Sequence, residues 1–149
     1  MINYRPAKQE DFEQVQVIEN ECFKEPYSYE ELRYEFDLNP LNKIIVAESE
    51  GKVIGFIDFL ITFNSATIMQ VAVTKDYRRK GVATQLLSEM EKVFPKDIEN
   101  MIETITLEVR ISNTTALSLY LKNGYMIVVT KAHYYKDGEN ALYLVKRLI

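Results

Sequence analysis

The chain has 149 residues, a length that suits one domain rather than two. Hydrophobic residues make up 47% of the chain and charged residues 27%, which is ordinary globular composition with enough apolar content for a full core. The formal net charge of -4 disfavours general nucleic-acid binding and fits more easily with cationic substrates such as amines.

Cellular location is predicted from the cysteine count and from what the chain lacks. Cys22 is the single cysteine, which excludes an intrachain disulfide and suits a reducing compartment. The polar start of the chain does not resemble a signal peptide, and no apolar run approaches the roughly 18 residues of a membrane span. We therefore expect a soluble cytoplasmic protein, a monomer or homodimer, with no direct nucleic-acid or membrane partner.

The first half of the chain is predicted to contain two helices and four strands. Apolar residues recur at helical spacing over 8–23, and Pro26 ends that segment. Ser28 opens a capping box for a second, short helix that ends before Pro40. Short turns join the last three of the four strand-like segments, which favours antiparallel pairing. These segments are 2–6, 43–48, 53–63 and 66–73.

The second half alternates helices and strands. A helix is predicted over 81–94, and another over 113–122 with Asn113 as N-cap and Gly124 in the C-cap signal. The remaining segments, 104–110, 125–130 and 141–148, have the composition of strands. With no repeat or linker, the sequence predicts one α+β domain over 1–149. Its mixed, mostly antiparallel sheet has about seven strands flanked by about four helices.

The segment Val71–Leu87 has the character of a strand, a basic turn and a helix that begins at Gly81. The first amides of a helix have no helical partner and lie at its positive dipole end, so they bind phosphate well. Gly81 lacks a Cβ, and Ala83 keeps the first turn slim, so a ligand could approach the backbone closely. Three cationic side chains, Arg78, Arg79 and Lys80, add positive charge. An anionic ligand, most naturally a pyrophosphate, is the simplest occupant.

The glycine spacing excludes a P-loop and a dinucleotide fingerprint. On charge alone, a basic helix N-terminus with solvated side chains is the favoured interpretation of the segment. The spacing Arg78-x-x-Gly81-x-Ala83, however, resembles the R/Q-x-x-G-x-G/A acetyl-CoA signature of the GNAT N-acetyltransferase superfamily. This resemblance implies a GNAT-like fold, with acetyl-CoA as co-substrate and no metal.

The resemblance also implies which residues bind acetyl-CoA. The pyrophosphate would meet the backbone amides of Arg78, Arg79, Lys80, Gly81, Val82, Ala83 and Thr84. The pantetheine arm and the acetyl carbonyl would lie along the main chain of Val71, Ala72 and Val73, which would also donate an N–H to the developing oxyanion.

Two further candidate residues are Glu108, in a predicted strand, and Tyr120, in a predicted helix. Polar residues alternate with apolar ones over 104–110, which turns Glu108 away from the core side of that strand. By itself this pattern is typical of an exposed or ion-paired glutamate. Tyr120, about two turns into the next helix, is by itself typical of an aromatic that packs the helix.

Together these segments form a longer match. The run Leu107-Glu108-Val109-Arg110-x-Ser112-Asn113, followed by Ala116, Leu119-Tyr120 and Gly124-Tyr125, resembles the bacterial RimI-type ribosomal-protein-alanine N-acetyltransferases. The resemblance extends over nearly the whole chain, from Cys22-Phe23 to Glu139-Asn140-Ala141. It implies that Glu108 is the general base, that Tyr120 is the general acid, and that Asn113 and Tyr120 contact acetyl-CoA.

The implied chemistry is a direct transfer within a ternary complex, without a covalent enzyme intermediate. A carboxylate can remove the proton that makes an ammonium non-nucleophilic. A tyrosine can protonate the leaving thiolate at little cost if its pKa of about 10 is lowered modestly towards the thiol's value of about 8.5.

The sequence leaves alternatives open for the acceptor amine and for the class of protein. Asn140 replaces an aspartate of the RimI pattern, and Lys131-Ala132-His133 stands where Arg-Arg-Asn is frequent. The acceptor is therefore a protein N-terminus such as that of a ribosomal protein, or else a lysine side chain, a polyamine or another small amine. A non-catalytic acyl-CoA-binding module is the alternative of another class. A His/Cys metal site is not expected, because the chain has only one histidine, His133, and one cysteine.

Overall fold

The computed structural model describes residues 1–149. All seven predicted strands and all four predicted helices are present. In chain order they are β1 Ile2–Pro6, α1 Phe12–Cys22, α2 Tyr29–Asp37, β2 Asn42–Ser49, β3 Lys52–Thr62, β4 Ser65–Val73, α3 Val82–Lys92, β5 Thr104–Arg110, α4 Thr114–Lys122, β6 Met126–Lys131 and β7 Ala141–Arg147. The first helix begins later than the sequence predicts, because Gln9–Asp11 forms a separate 3-10 turn.

The strands form a seven-stranded sheet in the order β1-β2-β3-β4-β5-β7-β6. The pairs β1/β2, β2/β3, β5/β7 and β6/β7 are antiparallel, whereas β4 and β5 are parallel. The predicted mixed, mostly antiparallel sheet is thus confirmed. No helix is long and apolar enough to span a membrane.

The chain divides into two compact units. The N-terminal unit comprises residues 1–61 and 70–94, and the C-terminal unit comprises residues 62–69 and 95–149. The strand β4 supplies residues to both units. The single domain that the sequence predicts over 1–149 stays a prediction.

Helices α1 and α2 cover the core of the N-terminal unit. Its buried apolar residues come from both helices and from three strands: Phe12, Val15, Ile18, Leu32, Val46, Val53, Phe56 and Ala72. Each fully buried side chain of this size contributes roughly 1.5–3 kcal/mol through the area it removes from water. Strand β3 is buried along most of its length, which is typical of a central strand.

A close backbone approach fixes the end of β4. A Cβ built on Gly55 of β3 would lie 2.9 Å from the carbonyl oxygen of Ala72, so only glycine fits there without a shift. The amide of Thr74 then donates to the carbonyl of Ile54 at 2.9 Å. These two contacts position the Val71–Val73 main chain, along which the GNAT resemblance implies that the pantetheine arm of acetyl-CoA would lie.

In the C-terminal unit, β5 shows the alternation predicted from its sequence. Ile105, Leu107 and Val109 are buried, whereas the four polar residues between and beside them are half-buried. Tyr125 packs edge-on against Tyr120, with ring centroids 5.4 Å apart.

Candidate active site

The loop between β4 and α3 offers backbone amides to a ligand. Gly81, the N-cap of α3, has φ +80°, and Arg79 is also left-handed, at φ +63°. No side chain caps α3, and the first helical bond runs from the amide of Gln85 to the carbonyl of Gly81. The amides of Val82, Ala83 and Thr84 therefore have no helical acceptor, and they lie at the positive end of the helix dipole.

The glycine is required here by conformation. Nothing lies within 4 Å of a Cβ built on Gly81, so the protein itself leaves that space open. A left-handed φ, however, disfavours any residue with a side chain. Both properties suit a loop whose backbone is approached by an anion.

The sequence predicts that three cationic side chains lie beside these amides, but the side chain of Arg78 has other partners. Its Nε donates to the carbonyl of Val73 at 2.9 Å, and its Nη2 lies 3.4 Å from Sγ of Cys22 and 3.7 Å from the carboxylate of Glu21. The side chain of Arg78 thus ties the loop to the end of β4 and to α1. Arg79 and Lys80 remain exposed, and Nζ of Lys80 lies 5.2 Å from the ring centre of Tyr77.

Glu21 also connects α1 to the segment that follows β4. Its carboxylate accepts hydrogen bonds from the hydroxyl of Thr74 and the amide of Lys75, and the Lys75 bond is the main reason that its pKa is lowered. Cys22 is half-buried at the end of α1, and burial raises the pKa of its thiol. A thiol of this kind is held mainly in its neutral, unreactive form.

In the C-terminal unit, Glu108 is bound by a cation. Nζ of Lys131 donates to its Oε2 at 2.8 Å, and the hydroxyl of Tyr134 donates to its Oε1 at 3.4 Å. The side chain of Glu108 is 22% exposed, so the carboxylate remains within reach of solvent. Lys131 also lies over the ring of Tyr143, 4.6 Å from its centre.

Tyr120 is almost completely buried in α4. Burial raises its pKa, with a smaller contribution from Tyr135. The condition for donation at little cost, a modestly lowered pKa, is therefore not met, because an apolar environment disfavours the phenolate. Asn113 is the N-cap of α4, as predicted, and its Oδ1 accepts from the amide of Ala116 at 3.2 Å.

The segment between β6 and β7 is held by charged groups that the sequence analysis did not assign. Nη1 of Arg110 donates to Glu139 at 2.8 Å and to Asp137 at 2.9 Å, and its guanidinium lies 4.1 Å from the ring centre of Tyr135. Hydrogen bonds from Ser112 and Arg110 lower the pKa of Glu139 to about 2. Oδ1 of Asn140, one of the departures from the RimI pattern, accepts from the amide of His133.

Sequence reasoning missed the contact between Lys131 and Glu108. The two residues lie on strands separated by β7, where Glu108 is opposite Tyr143 and Lys131 is opposite Ala141. This register depends on a bulge in β6, between Ile127 and Val129, that no local pattern reveals. Each group of predicted residues is thus assembled within its own unit: the Val71–Thr84 segment in one, and Glu108, Asn113 and Tyr120 in the other.

Comparison with known proteins assigns the family. A model described as Acetyltransferase (GNAT) family matches residues 12–125. An uncharacterized N-acetyltransferase of Methanocaldococcus jannaschii is 34% identical over 143 residues, which are 96% of this chain and 90% of that protein. An N-alpha-acetyltransferase of Sulfurisphaera tokodaii is also 34% identical, over 92% of this chain and 87% of its own.

A solved structure is similar over the whole chain. The ribosomal-protein-S18-alanine N-acetyltransferase from Escherichia coli superposes with a TM-score of 0.84 at 25% identity, covering 99% of this chain and 94% of its own. The mixed seven-stranded sheet with four helices described above therefore matches a known acetyltransferase fold. The chain therefore belongs to the acetyltransferase (GNAT) family and is an N-acetyltransferase.

Proposed function

We propose that this enzyme transfers the acetyl group of acetyl-CoA to the N-terminal α-amine of a protein, such as a ribosomal protein, with Glu108 as base and Tyr120 as acid. The observation that supports this most directly is the ammonium on Glu108. The carboxylate binds Nζ of Lys131 at 2.8 Å and is partly open to solvent, so it is a carboxylate suited to a protonated amine. Relatives named N-alpha-acetyltransferase and ribosomal-protein-S18-alanine N-acetyltransferase favour an α-amine as that group.

Acetyl-CoA, when bound, supplies the acetyl group. The unpartnered amides at the start of α3 fit its pyrophosphate, because anions bind where helix amides and the positive dipole end coincide. The main chain of Val71–Val73, fixed by Gly55 and Thr74, is the proposed place for the pantetheine arm. Arg78 supports this segment by donating from its side chain to the carbonyl of Val73.

The proposed role of Glu108 is to remove a proton from the acceptor. An α-ammonium has a pKa of about 7.7–8.0, so most of it is protonated at neutral pH and is not a nucleophile. A carboxylate within hydrogen-bond reach removes that proton directly or through a water. For this the acceptor has to compete with Lys131 for the same oxygens.

The proposed role of Tyr120 is to stabilise the leaving sulfur. Burial keeps its phenol protonated at neutral pH, so it is always available as a donor. Complete proton transfer from a phenol of raised pKa to a thiolate is uphill, since a free thiol has a pKa of about 8.5. Tyr120 therefore acts mainly through a hydrogen bond to the sulfur as its negative charge develops.

The experiment is mass spectrometry of a defined peptide library after incubation with acetyl-CoA. Peptides with free α-amines, including ones that begin with Ala or Ser, are compared with N-terminally blocked peptides that carry a free lysine and with small amines. Acetylation of α-amines that depends on Glu108 supports the proposal. Activity confined to lysine side chains or small amines overturns the α-amine assignment and keeps the acetyl transfer.

A further inference from the structure

The strand β6 is one of the two edges of the sheet, and it carries a continuous apolar surface. It pairs with β7 on one side only. Four consecutive aliphatic residues are exposed: Met126 at 68%, Ile127 at 47%, Val128 at 59% and Val129 at 47%. Single apolar residues scattered over a surface are ordinary, whereas a continuous run marks an interaction surface or an aggregation hazard. We call this strand, Met126–Lys131, the β6 edge; it lies entirely in the C-terminal unit.

The exposure of the β6 edge extends to both faces of the sheet. Side chains of a strand alternate between the two faces, and every residue of Met126–Thr130 is exposed. The rest of the chain therefore covers neither face of β6 completely. A helix docked on one face would leave the other face in water. A further strand adds side chains to both faces and also bonds to the outer backbone groups of β6, so a strand is the partner that fits this edge.

The two edges of the sheet differ in their protection against such pairing. Edge strands commonly carry charges or proline, which discourage pairing with another chain. The opposite edge, β1, contains Arg5 and ends at Pro6. The β6 edge has no proline, and its one charged residue, Lys131, lies at the end of the strand and binds Glu108. Of the two edges, β6 is therefore the one that is open to a further strand.

A bulge in β6 leaves one residue of this edge unpaired. The register with β7 shifts between Ile127 and Val129, so Val128 has no partner residue on β7. A bulge can twist an edge strand away from pairing, but the extra residue here is apolar and more than half exposed. The bulge thus shortens the segment that can pair regularly and does not remove the apolar surface.

A second copy of this chain supplies a strand with the matching chemistry. The run Met126–Thr130 has no charge, so a charged peptide would form no ion pair along it. In an antiparallel pair of two such runs, aliphatic side chains lie opposite one another on both faces. The two Lys131 residues then lie at opposite ends of the paired segment, so their charges do not meet. The β6 edge is therefore complementary to itself in charge and in polarity.

Symmetry also favours the pairing of β6 with β6. A two-fold interface uses the same surface on both copies and is closed after two subunits. Pairing of β6 with β1 of the next copy would leave one edge open at each end and would extend into a filament. The arginine and the proline of β1 oppose that arrangement.

We propose that the β6 edge is a homodimer interface, in which β6 of two copies pairs antiparallel across a two-fold axis and joins the two sheets into one. The partner is a second copy of this chain, and the proposal does not depend on the acceptor or on the proposed catalytic residues. Six residues from each copy are far fewer than the roughly 20–30 a side of a standard interface. The dimer is therefore transient, with a dissociation constant that is micromolar or weaker.

The test is sedimentation velocity of the wild-type chain from about 1 μM to about 1 mM, a range that brackets a weak interface. We expect the fraction of dimer to rise with concentration. Val128→Lys adds a cation to the middle of both paired strands and should weaken the dimer about tenfold or more. Val17→Lys, at a position of α1 that is 65% exposed, is the matched control and should dimerise as the wild type does. Thr130→Lys replaces the first variant if that does not fold.

Hydrogen exchange locates the interface. Amides of 126–131 should exchange more slowly at the highest concentration than at the lowest, and those of 2–6 should not change. A monomer at every concentration would overturn the proposal and leave the β6 edge to a strand of another protein. A dimer that survives both lysine variants of β6, or protection of 2–6 together with 126–131, would equally overturn the two-fold β6 interface.

Discussion

The ammonium nitrogen of Lys131 lies 2.8 Å from Oε2 of Glu108, the carboxylate that we propose as the general base. The same nitrogen lies 4.6 Å from the ring centre of Tyr143 and 5.4 Å from that of Tyr134. The hydrogen bond to Glu108 raises the pKa of Lys131, so the lysine is fully charged at neutral pH. The free enzyme thus holds its own ammonium at the place that we propose for the acceptor ammonium.

Replacing Lys131 should therefore help the acceptor to bind. In Lys131→Met we expect the KM for the acceptor peptide to fall, by no more than about fivefold because ion pairs with this degree of exposure are weak. Lys131→Arg keeps the cation and serves as the matched control. Steady-state kinetics with one peptide checks the prediction, and a higher KM in Lys131→Met would show that the lysine orients Glu108 or the acceptor instead.

Glu108→Gln should reduce turnover strongly near neutral pH, by about a hundredfold or more, the usual contribution of a general base. The loss should diminish at higher pH, because the α-amine then deprotonates without assistance. The pH dependence of kcat for the variant and the wild type measures both effects. Glu99→Gln, an exposed glutamate in the same unit, is the control. Wild-type rates in Glu108→Gln would refute the base assignment.

Tyr120→Phe tests the acid. We expect kcat to fall by about a hundredfold, the lower end of the range for loss of a general acid. The effect is at the lower end because burial raises the pKa of the Tyr120 phenol and makes it a weaker acid. Affinity for CoA, measured by calorimetry, should stay nearly unchanged, and Tyr34→Phe at an exposed position controls for loss of any hydroxyl. A large loss of CoA affinity with an intact kcat would instead assign Tyr120 a structural role.

Local patterns were sufficient to predict most of this fold. The alternation over 104–110 located β5 and its polar face, and Asn113 and Gly124 marked the ends of α4. These features depend on residues a few positions apart, for which periodicity and capping are direct physical signals. The strand-and-helix order was therefore accessible from the sequence, and so was the amide-rich start of α3.

Long-range contacts were not accessible in this way. No local pattern indicates the bond from Arg78 to the carbonyl of Val73, and the Lys131–Glu108 pair depends on a bulge in β6. Asp58 lies in a mostly apolar strand, and nothing in its sequence neighbours indicates that it interacts with Glu19 of α1 and Asn42 of β2. Such contacts follow from tertiary packing and not from local propensity.

The buried carboxyl groups of Asp58 and Glu19 should make stability depend on pH. Folding raises the pKa of Asp58 from 3.8 to about 8 and that of Glu19 from 4.5 to about 7. A raised carboxyl pKa means that the native state binds the proton more tightly than the unfolded chain. The stabilisation is complete below the unfolded value and is lost as the pH rises through the folded one, so the free energy of unfolding should fall from about pH 4 to about pH 8.

Asp58→Asn isolates this effect, since an amide cannot ionise. We expect the variant to lose less stability than the wild type over that pH range and to be the more stable protein above pH 8, the folded pKa of Asp58. Urea unfolding at a series of pH values measures the difference, and Glu13→Gln, an exposed change on α1, should follow the wild type. Parallel curves for the wild type and Asp58→Asn would show that Asp58 is already ionised in the native state.

Two glycines allow the ligand-binding role of the β4–α3 loop to be separated from its backbone strain. Gly81 and Gly51, the latter in the turn between β2 and β3, have φ of +80° and +78°, and nothing lies within 4 Å of a Cβ at either position. Gly81→Ala and Gly51→Ala should each lower the free energy of unfolding by about 1 kcal/mol, the cost of a left-handed alanine. Only Gly81→Ala should weaken CoA binding, because only there does the added methyl group meet the proposed pyrophosphate. Urea unfolding and calorimetry with CoA measure the two quantities, and equal CoA affinities in both variants would remove the pyrophosphate from the start of α3.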